Sequence, residues 1–207
     1  MILDFKDLSP KERYHLMTQT IIPRPIAWVL TAWNISDQST YNLAPFSYFT
    51  PISSKPPLVL FSVGQKTTKE PKDTLKNAQH TEKLVIHIPS ITDIEDVSNS
   101  AKELAHNTSE VTDLNLELTD FEGFELPRLQ NCKLAFGCSL YEIKTLQDVP
   151  QQLVIAQIEK IFIEDTVLQA TSDNKRLVVD ALKVNPLTRL GGNEYSNLNE
   201  ITSFKRV

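Results

Sequence analysis

Lys66, Lys69 and Lys72 lead into Lys72-Asp-Thr-Leu-Lys-Asn77, where Thr74 and Asn77 add hydrogen-bonding side chains. The segment reads as a helix start. A helix start presents free backbone N–H groups and the positive end of the helix dipole, which together suit an anion. A phosphate monoester carries about 1.5–2 negative charges and takes several donors. The same residues also fit an ordinary helix cap by Asp73 beside solvated lysines. Asp73 sets a negative charge near the proposed anion, offset in this reading by capping and by the lysines.

Asn42-Leu-Ala-Pro-Phe-Ser-Tyr-Phe49 carries a different chemistry. Pro45 restricts the backbone and Ala44 allows close approach. Asn42 and Ser47 supply hydrogen bonds, and Phe46 or Tyr48 supplies apolar surface. A flat ring with a polar edge needs those features. An aromatic core segment entering a strand accounts for them equally well.

The flanking segments give the elements that must position these residues. Ile26 to Trp33 is apolar and starts just after Pro23 and Pro25, as a strand does. Ser36 to Thr40 is a polar turn. Leu58–Val63, bounded by Pro56-Pro57 and Gly64, and Lys83–Ile88, ended by Pro89, are further strands. Ile91, Ile94, Val97, Ala101 and Leu104 then recur at helical spacing behind a Ser90 cap with Asp93 three residues on. Asn131–Tyr141, Leu153–Ile163 and Thr166–Ala170 read as strands, and Arg176–Leu182 as a short helix. Many short strands with inserted helices imply a mainly β (α+β) architecture, closed or sandwiched, not a doubly wound parallel sheet. The chain has 5 glycines and no Gly-x-Gly-x-x-Gly, which argues against a dinucleotide fold of the usual kind. No linker or repeat is visible, so residues 1–207 are expected to form a single domain.

Composition excludes some classes. Hydrophobic residues make up 41% and charged residues 23%, as in ordinary globular chains. A net charge of -5 offers no overall basic field for nucleic acid. No apolar run reaches the roughly 20 residues that span a bilayer, and no signal peptide is expected from Met1 to Asp7. The expectation is a cytoplasmic protein with no membrane or nucleic-acid partner. Cys132 and Cys138 lie in an alternating run whose even spacing predicts one buried face, shared with Leu134, Phe136 and Leu140. At strand rise they are about 20 Å apart, beyond disulfide reach. His15, His80, His87 and His106 show no metal-ligand spacing, so no metal is expected.

In order along nearly the whole chain, these segments resemble the flavin reductase-like family of the FMN-binding split β-barrel fold. The resemblance rests on Pro23-Arg-Pro-Ile-Ala-Trp-Val-Leu-Thr31, Asn42 to Phe49, Pro56-Pro57, Lys72 to Asn77, and Arg189-Leu-Gly-Gly-Asn-Glu-Tyr195. It implies FMN as cofactor and NADH or NADPH as electron donor. By resemblance, Thr31, Asn42, Ala44 and Ser47, with Pro45 and Phe46 beside them, fall where members line the flavin. Ser62, Lys72, Thr74 and Asn77 fall near ribityl and phosphate. Arg24, Arg189 and Tyr195 match the motif without a derivable contact, and Arg24 fits a structural ion pair equally well. The resemblance also implies a homodimer whose interface helps form the pocket, and a monooxygenase or other acceptor as partner.

Two departures stand out. Members often carry Asp-Gly before the asparagine, whereas this chain has Ser39-Thr-Tyr41. Clear reductases often carry Gly-Asp-His before the late strand, where this chain has Val149-Pro-Gln-Gln-Leu-Val154 and no histidine. The electron donor therefore stays open at this stage. So do an FMN-containing electron carrier without NAD(P)H turnover and a non-enzymatic split-barrel ligand binder. No side chain needs to act as nucleophile or general acid, so no catalytic residue is assigned.

Overall fold

A computed structural model describes residues 1–105, 108–169 and 176–205. In chain order the strands begin with β1 (Arg24–Pro25), β2 (Ala27–Ala32), β3 (Tyr41–Phe46), β4 (Phe49–Ser54), β5 (Pro57–Val63) and β6 (Lys83–Ile88). They continue with β7 (Leu118–Thr119), β8 (Arg128–Leu129), β9 (Leu134–Thr145), β10 (Gln152–Ile163), β11 (Leu168–Gln169), β12 (Val178–Val179), β13 (Thr188–Arg189) and β14 (Tyr195–Ser196). The helices are α1 (Pro10–Thr20), α2 (Asp73–Thr81), α3 (Ile94–Asn99), α4 (Glu110–Asp113) and α5 (Ala181–Val184).

Seven strands form the main antiparallel sheet in the order β3-β2-β6-β9-β10-β5-β4. Its two edge strands, β3 and β4, are consecutive in sequence and separated only by Ser47 and Tyr48. The chain therefore crosses from one edge to the other at a tight corner. There the Ser62 N–H donates to the Tyr48 carbonyl at 2.9 Å.

Two cores explain why β2 is apolar at every position except Thr31 and buried throughout. On one face Ala27 and Val29 pack with Phe46, Val59, Phe61, Leu84, Ile86 and Val154. On the other, Trp28 and Leu30 meet Val97 of α3, Val111 of α4 and Phe121, Leu126 and Leu129. A half-exposed strand would alternate; this one is covered on both sides and does not. Fully burying each large side chain contributes about 1.5–3 kcal/mol, so the doubly covered strand is a major source of stability.

Several expectations need correction. The helix predicted across 91–104 is a 3-10 turn, Ile91–Asp93, followed by α3, which stops at Asn99. The Ser100 hydroxyl accepts the Trp28 indole N–H at 2.9 Å and donates to the Val97 carbonyl at 3.1 Å. This pins the helix end to the sheet and releases the following residues from the helix. The β9 strand starts at Leu134 rather than Asn131 and runs on to Thr145. Since Cys132 precedes the strand, the alternation does not reach it. Cys132 packs in the outer core with Leu129, while Cys138 packs in the other with Val154. Both thiols are buried and free, and burial pushes both upward from their ordinary pKa.

The strand expected at Thr166–Ala170 begins instead inside a 3-10 turn, Asp165–Val167, followed by β11; Ala170 lies outside the described residues. The helix expected at Arg176–Leu182 is β12 followed by α5, because the Asp180 carboxylate accepts from the Leu182 and Lys183 N–H groups and starts the helix there. Helix α1 was not anticipated. Its signal was legible as Ser9-Pro-Lys-Glu12: Pro10 opens the helix and Ser9 and Glu12 form a reciprocal capping box.

Candidate functional site

Helix α2 carries the phosphate-type segment, and its start differs from expectation. The N-cap is Lys72, in extended conformation and with no side-chain cap bond, not Asp73. Asp73 is the first helical residue. Its carboxylate pairs with Lys66 at 2.7 Å and lies 3.9 Å from Lys76. Its charge is thus offset by lysines rather than used in capping. The Lys72 side chain makes no capping bond at the start of this nine-residue helix.

Buried polar side chains dock that helix start on the sheet. Asn42 Nδ2 of β3 donates to Thr74 Oγ1 at 2.8 Å, and Asn77 Nδ2 donates to Thr31 Oγ1 of β2 at 3.4 Å. Thr31, Thr74 and Asn77 are all buried. Between strand and helix lies a cleft. Asn42, Ala44 and Pro45 form one wall, Lys66 and Lys72 to Thr74 a second, and Ser100 to Leu104 with Glu110 a third. The early end of α3 is what frees Ser100 to Leu104 to form that third wall.

Pro45 sits in a strand without loss because β3 is an edge. The Leu43 N–H turns away from β2 and is taken by Glu110 Oε2 at 2.9 Å. Pro45, two residues on, shares that outward phase, where no ladder donor is required. A smaller hollow beside the cleft shares Asn42 and Asp73 and is bordered by Trp33 and Asn77. Trp33 stacks on His80, with ring centroids 4.1 Å apart.

The cleft is electrically mixed. Burial pushes the Glu110 carboxyl up to about 7; the Leu43 N–H and Lys66 oppose that rise, and Asp73 adds to it. Exposed Glu103 is held below the usual carboxylate range by hydrogen bonds from Thr67, with Lys72 and Lys66 contributing. Sequence reasoning missed Glu110 and the 100–104 segment. The Ser109-Glu110 pair signals only a helix start, and nothing local places it against Leu43.

The remaining predicted residues form a second group, apart from this cleft. Phe46 points into the core, 5.2 Å from the Phe61 ring, rather than offering a wall. Arg24 is buried, and its guanidinium donates to the carbonyls of Thr18 at 2.5 Å, Ile21 at 2.8 Å and Leu190 at 2.7 Å. Its Nε reaches Ser47 Oγ at 3.4 Å. Ser62 adjoins this corner through Tyr48. Arg189 pairs in register with Arg24, donates to the Gly192 carbonyl and lies over the Tyr195 ring at 4.3 Å. Gly191 leaves no room for a Cβ against Gln19, and Gly192 takes a φ of +57°. The Arg-Leu-Gly-Gly segment is therefore legible as a clasp between the chain end, α1 and β1.

Chemically, the first group combines a helix start whose N-cap side chain makes no capping bond, nearby lysines and a small-residue strand edge. Such a surface can hold an anion and let a flat ring approach the backbone. Among the described residues no acidic, histidine or cysteine cluster fit for a metal is found. No helix among them is long and apolar enough to cross a membrane.

Comparison with known proteins fits this geometry. Residues 17–180 match the model of the flavin reductase like domain. The chain is 32% identical over 203 residues to the uncharacterized protein YwrF of Bacillus subtilis, covering 96% of this chain and 95% of that one. Its structure superposes on nitrilotriacetate monooxygenase component B from Bacillus cereus with a TM-score of 0.84 and 26% identity, covering 99% and 98% of the two chains. A Shewanella frigidimarina protein with a split barrel domain gives a TM-score of 0.84 at 17% identity over 100% of both chains, a likeness of fold alone. The chain belongs to the flavin reductase like family, with the split-barrel fold that its sheet order describes.

Proposed function

We propose that residues 1–207 of this flavin reductase-like chain act as one FMN-binding oxidoreductase domain, reduced by NADH or NADPH. The observation that carries the reading is the α2 start: a helix N-terminus whose N-cap side chain, Lys72, makes no capping bond, facing a cleft edged by Asn42, Ala44 and Pro45. The donor set fits a phosphate. Backbone N–H groups, Lys72 and the Thr74 hydroxyl lie at one end of the cleft, while the β3 edge at the other suits a ring.

When bound, the flavin would supply hydride acceptance from the nicotinamide and passage of electrons to a second acceptor. The protein's own contribution is positional. Lys72 and the helix dipole hold the phosphate, the Asn42–Thr74 bond fixes strand against helix, and Ala44 allows close approach of the ring. Thr31 and Asn77 support that arrangement from behind. Ser47, Ser62, Arg24, Arg189 and Tyr195 belong to the other flank in this reading. There Ile21, Ile22, Tyr48 and Ile52 are exposed. We assign that flank to a second copy of the chain, so that a homodimer completes the pocket. The likeness to a monooxygenase component B supports a monooxygenase as the acceptor. The cytoplasm is the proposed location.

One experiment tests the core of this reading: the absorbance spectrum of the purified protein before and after anaerobic NADH or NADPH. A flavin spectrum that bleaches with one nicotinamide is the expected result. A bound flavin that stays oxidised with both supports the electron-carrier alternative. A protein that binds no flavin when FMN is added refutes the reading.

A further inference from the structure

Glu110 differs from every other charged group lining the cleft. Its side chain is buried, yet it forms no ion pair among the described residues. Its Oε2 accepts from a neutral donor, the Leu43 N–H, at 2.9 Å, and its own backbone N–H also favours the charged form. Several neighbouring charges are otherwise committed. Lys66 is paired with Asp73, which also faces Lys76, and exposed Glu103 takes the N–H and hydroxyl of Thr67. Lys72 and Lys102 line the cleft without an ion pair of their own among the described residues. On its own short helix the further titratable group is Asp113. From β3, the Leu43 N–H is the group that reaches it.

A buried carboxylate without an ion-pair partner among the described residues answers a new negative charge by taking up a proton. Exposed Glu103 can rely on water and Asp73 on its lysines. Glu110 is buried and forms no ion pair among the described residues; Asp73 at the helix start disfavours its charged form, and Lys66 only partly offsets this. An anion placed at the same helix start adds to that effect at a buried carboxylate, where screening is weak.

We propose that Glu110 is the proton acceptor of the cleft: it takes a proton from solvent when the dianionic phosphate of FMN binds at the start of α2. The inference rests on the FMN reading above. Binding of FMN and of the proton then strengthen each other, as linkage requires. The neutral acid keeps an oxygen for the Leu43 N–H, so the strand edge stays in place as the charge disappears.

Titration calorimetry of FMN in two buffers of different ionisation enthalpy tests this on the intact chain. The measurement is made above pH 7, where the phosphate is already dianionic because its second pKa is about 6. The wild-type protein is expected to take up a substantial fraction of a proton on binding FMN. Its affinity should weaken as pH rises from 7 to 8.5, by at most about tenfold per unit. Glu110→Gln, which retains an oxygen acceptor for Leu43, should bind FMN with neither effect. A second readout needs no variant: the infrared difference spectrum of carbon-13 glutamate-labelled protein should gain a protonated-carboxyl band on adding FMN. FMN binding without proton uptake and without that band overturns the inference and leaves the FMN reading standing. Equal uptake in Glu110→Gln also overturns it. Failure to bind FMN at all overturns both.

Discussion

The Asn42 amide of β3 and the Thr74 hydroxyl of α2 meet at 2.8 Å, so the strand edge and the helix start that face the cleft are held by one hydrogen bond. Thr74 is 1% exposed, which makes that bond hard to replace by water. Thr74→Ala should therefore destabilise the fold, by about 1–3 kcal/mol for the donor left unsatisfied. Urea unfolding checks it, and an unchanged midpoint would reject the tie.

Lys72 has a different expected effect. It forms no ion pair among the described residues and its side chain caps nothing. Lys72→Ala should leave stability nearly unchanged and weaken FMN by about 1.5–3 kcal/mol, roughly ten- to a hundredfold. Riboflavin, which lacks the phosphate, should bind almost as before. Equal losses for both flavins would remove this helix start from the phosphate site.

Arg24 should behave as a structural residue. Its guanidinium joins three backbone carbonyls that belong to α1, the chain following it and the residue after β13. Arg24→Ala strands those buried acceptors and should cost at least about 3 kcal/mol of unfolding free energy. Arg24→Lys keeps the charge but not the planar fork, and should fall between. Wild-type stability in Arg24→Ala would refute the clasp.

His87 sets an acid limit on stability. It is fully buried, with Nδ1 3.0 Å from the Trp28 carbonyl and Nε2 accepting the Leu129 N–H at 2.9 Å. Burial lowers its pKa from 6.5 to about 4. The folded protein therefore keeps the ring neutral while the unfolded chain binds a proton below 6.5. The stability due to this group is fully present above pH 6.5 and is lost as pH falls toward 4. The total is about 3 kcal/mol, from 1.36 kcal/mol per unit. His87→Gln should be less stable than wild type at pH 7, with the gap narrowing by pH 5. A constant gap in denaturant unfolding would argue against this account.

The exposed Ile21, Ile22, Tyr48 and Ile52 predict that the chain pairs with a second copy. Light scattering under native conditions should give a dimer mass near twice 23.5 kDa. A monomer that holds FMN fully would refute the shared pocket. The single phosphate-type helix start, without a glycine-rich pyrophosphate turn, also predicts tighter binding of FMN than of FAD. Calorimetry with each flavin decides that point.

Whatever depends on local pattern was readable in the residues alone. The apolar run from Ile26 marked a strand, a helix start was legible at Lys72–Asn77 although its N-cap is Lys72 rather than Asp73, and the Ser90 cap stood where the structure has it. Hydrophobic period and capping chemistry act within a few residues, so a sequence carries them directly. Only the tertiary structure decided what crosses the chain. Ser100 ends α3 because the Trp28 indole waits 72 positions earlier. Glu110 is a buried carboxylate because β3 brings Leu43 against it from 67 positions away. Arg24 is a clasp because Leu190 arrives from the other end of the chain. Those contacts were fixed by how the sheet closes, with edges β3 and β4 meeting at the Ser47–Tyr48 corner. Burial and electrostatics are properties of that closed shape, which no local spacing encodes.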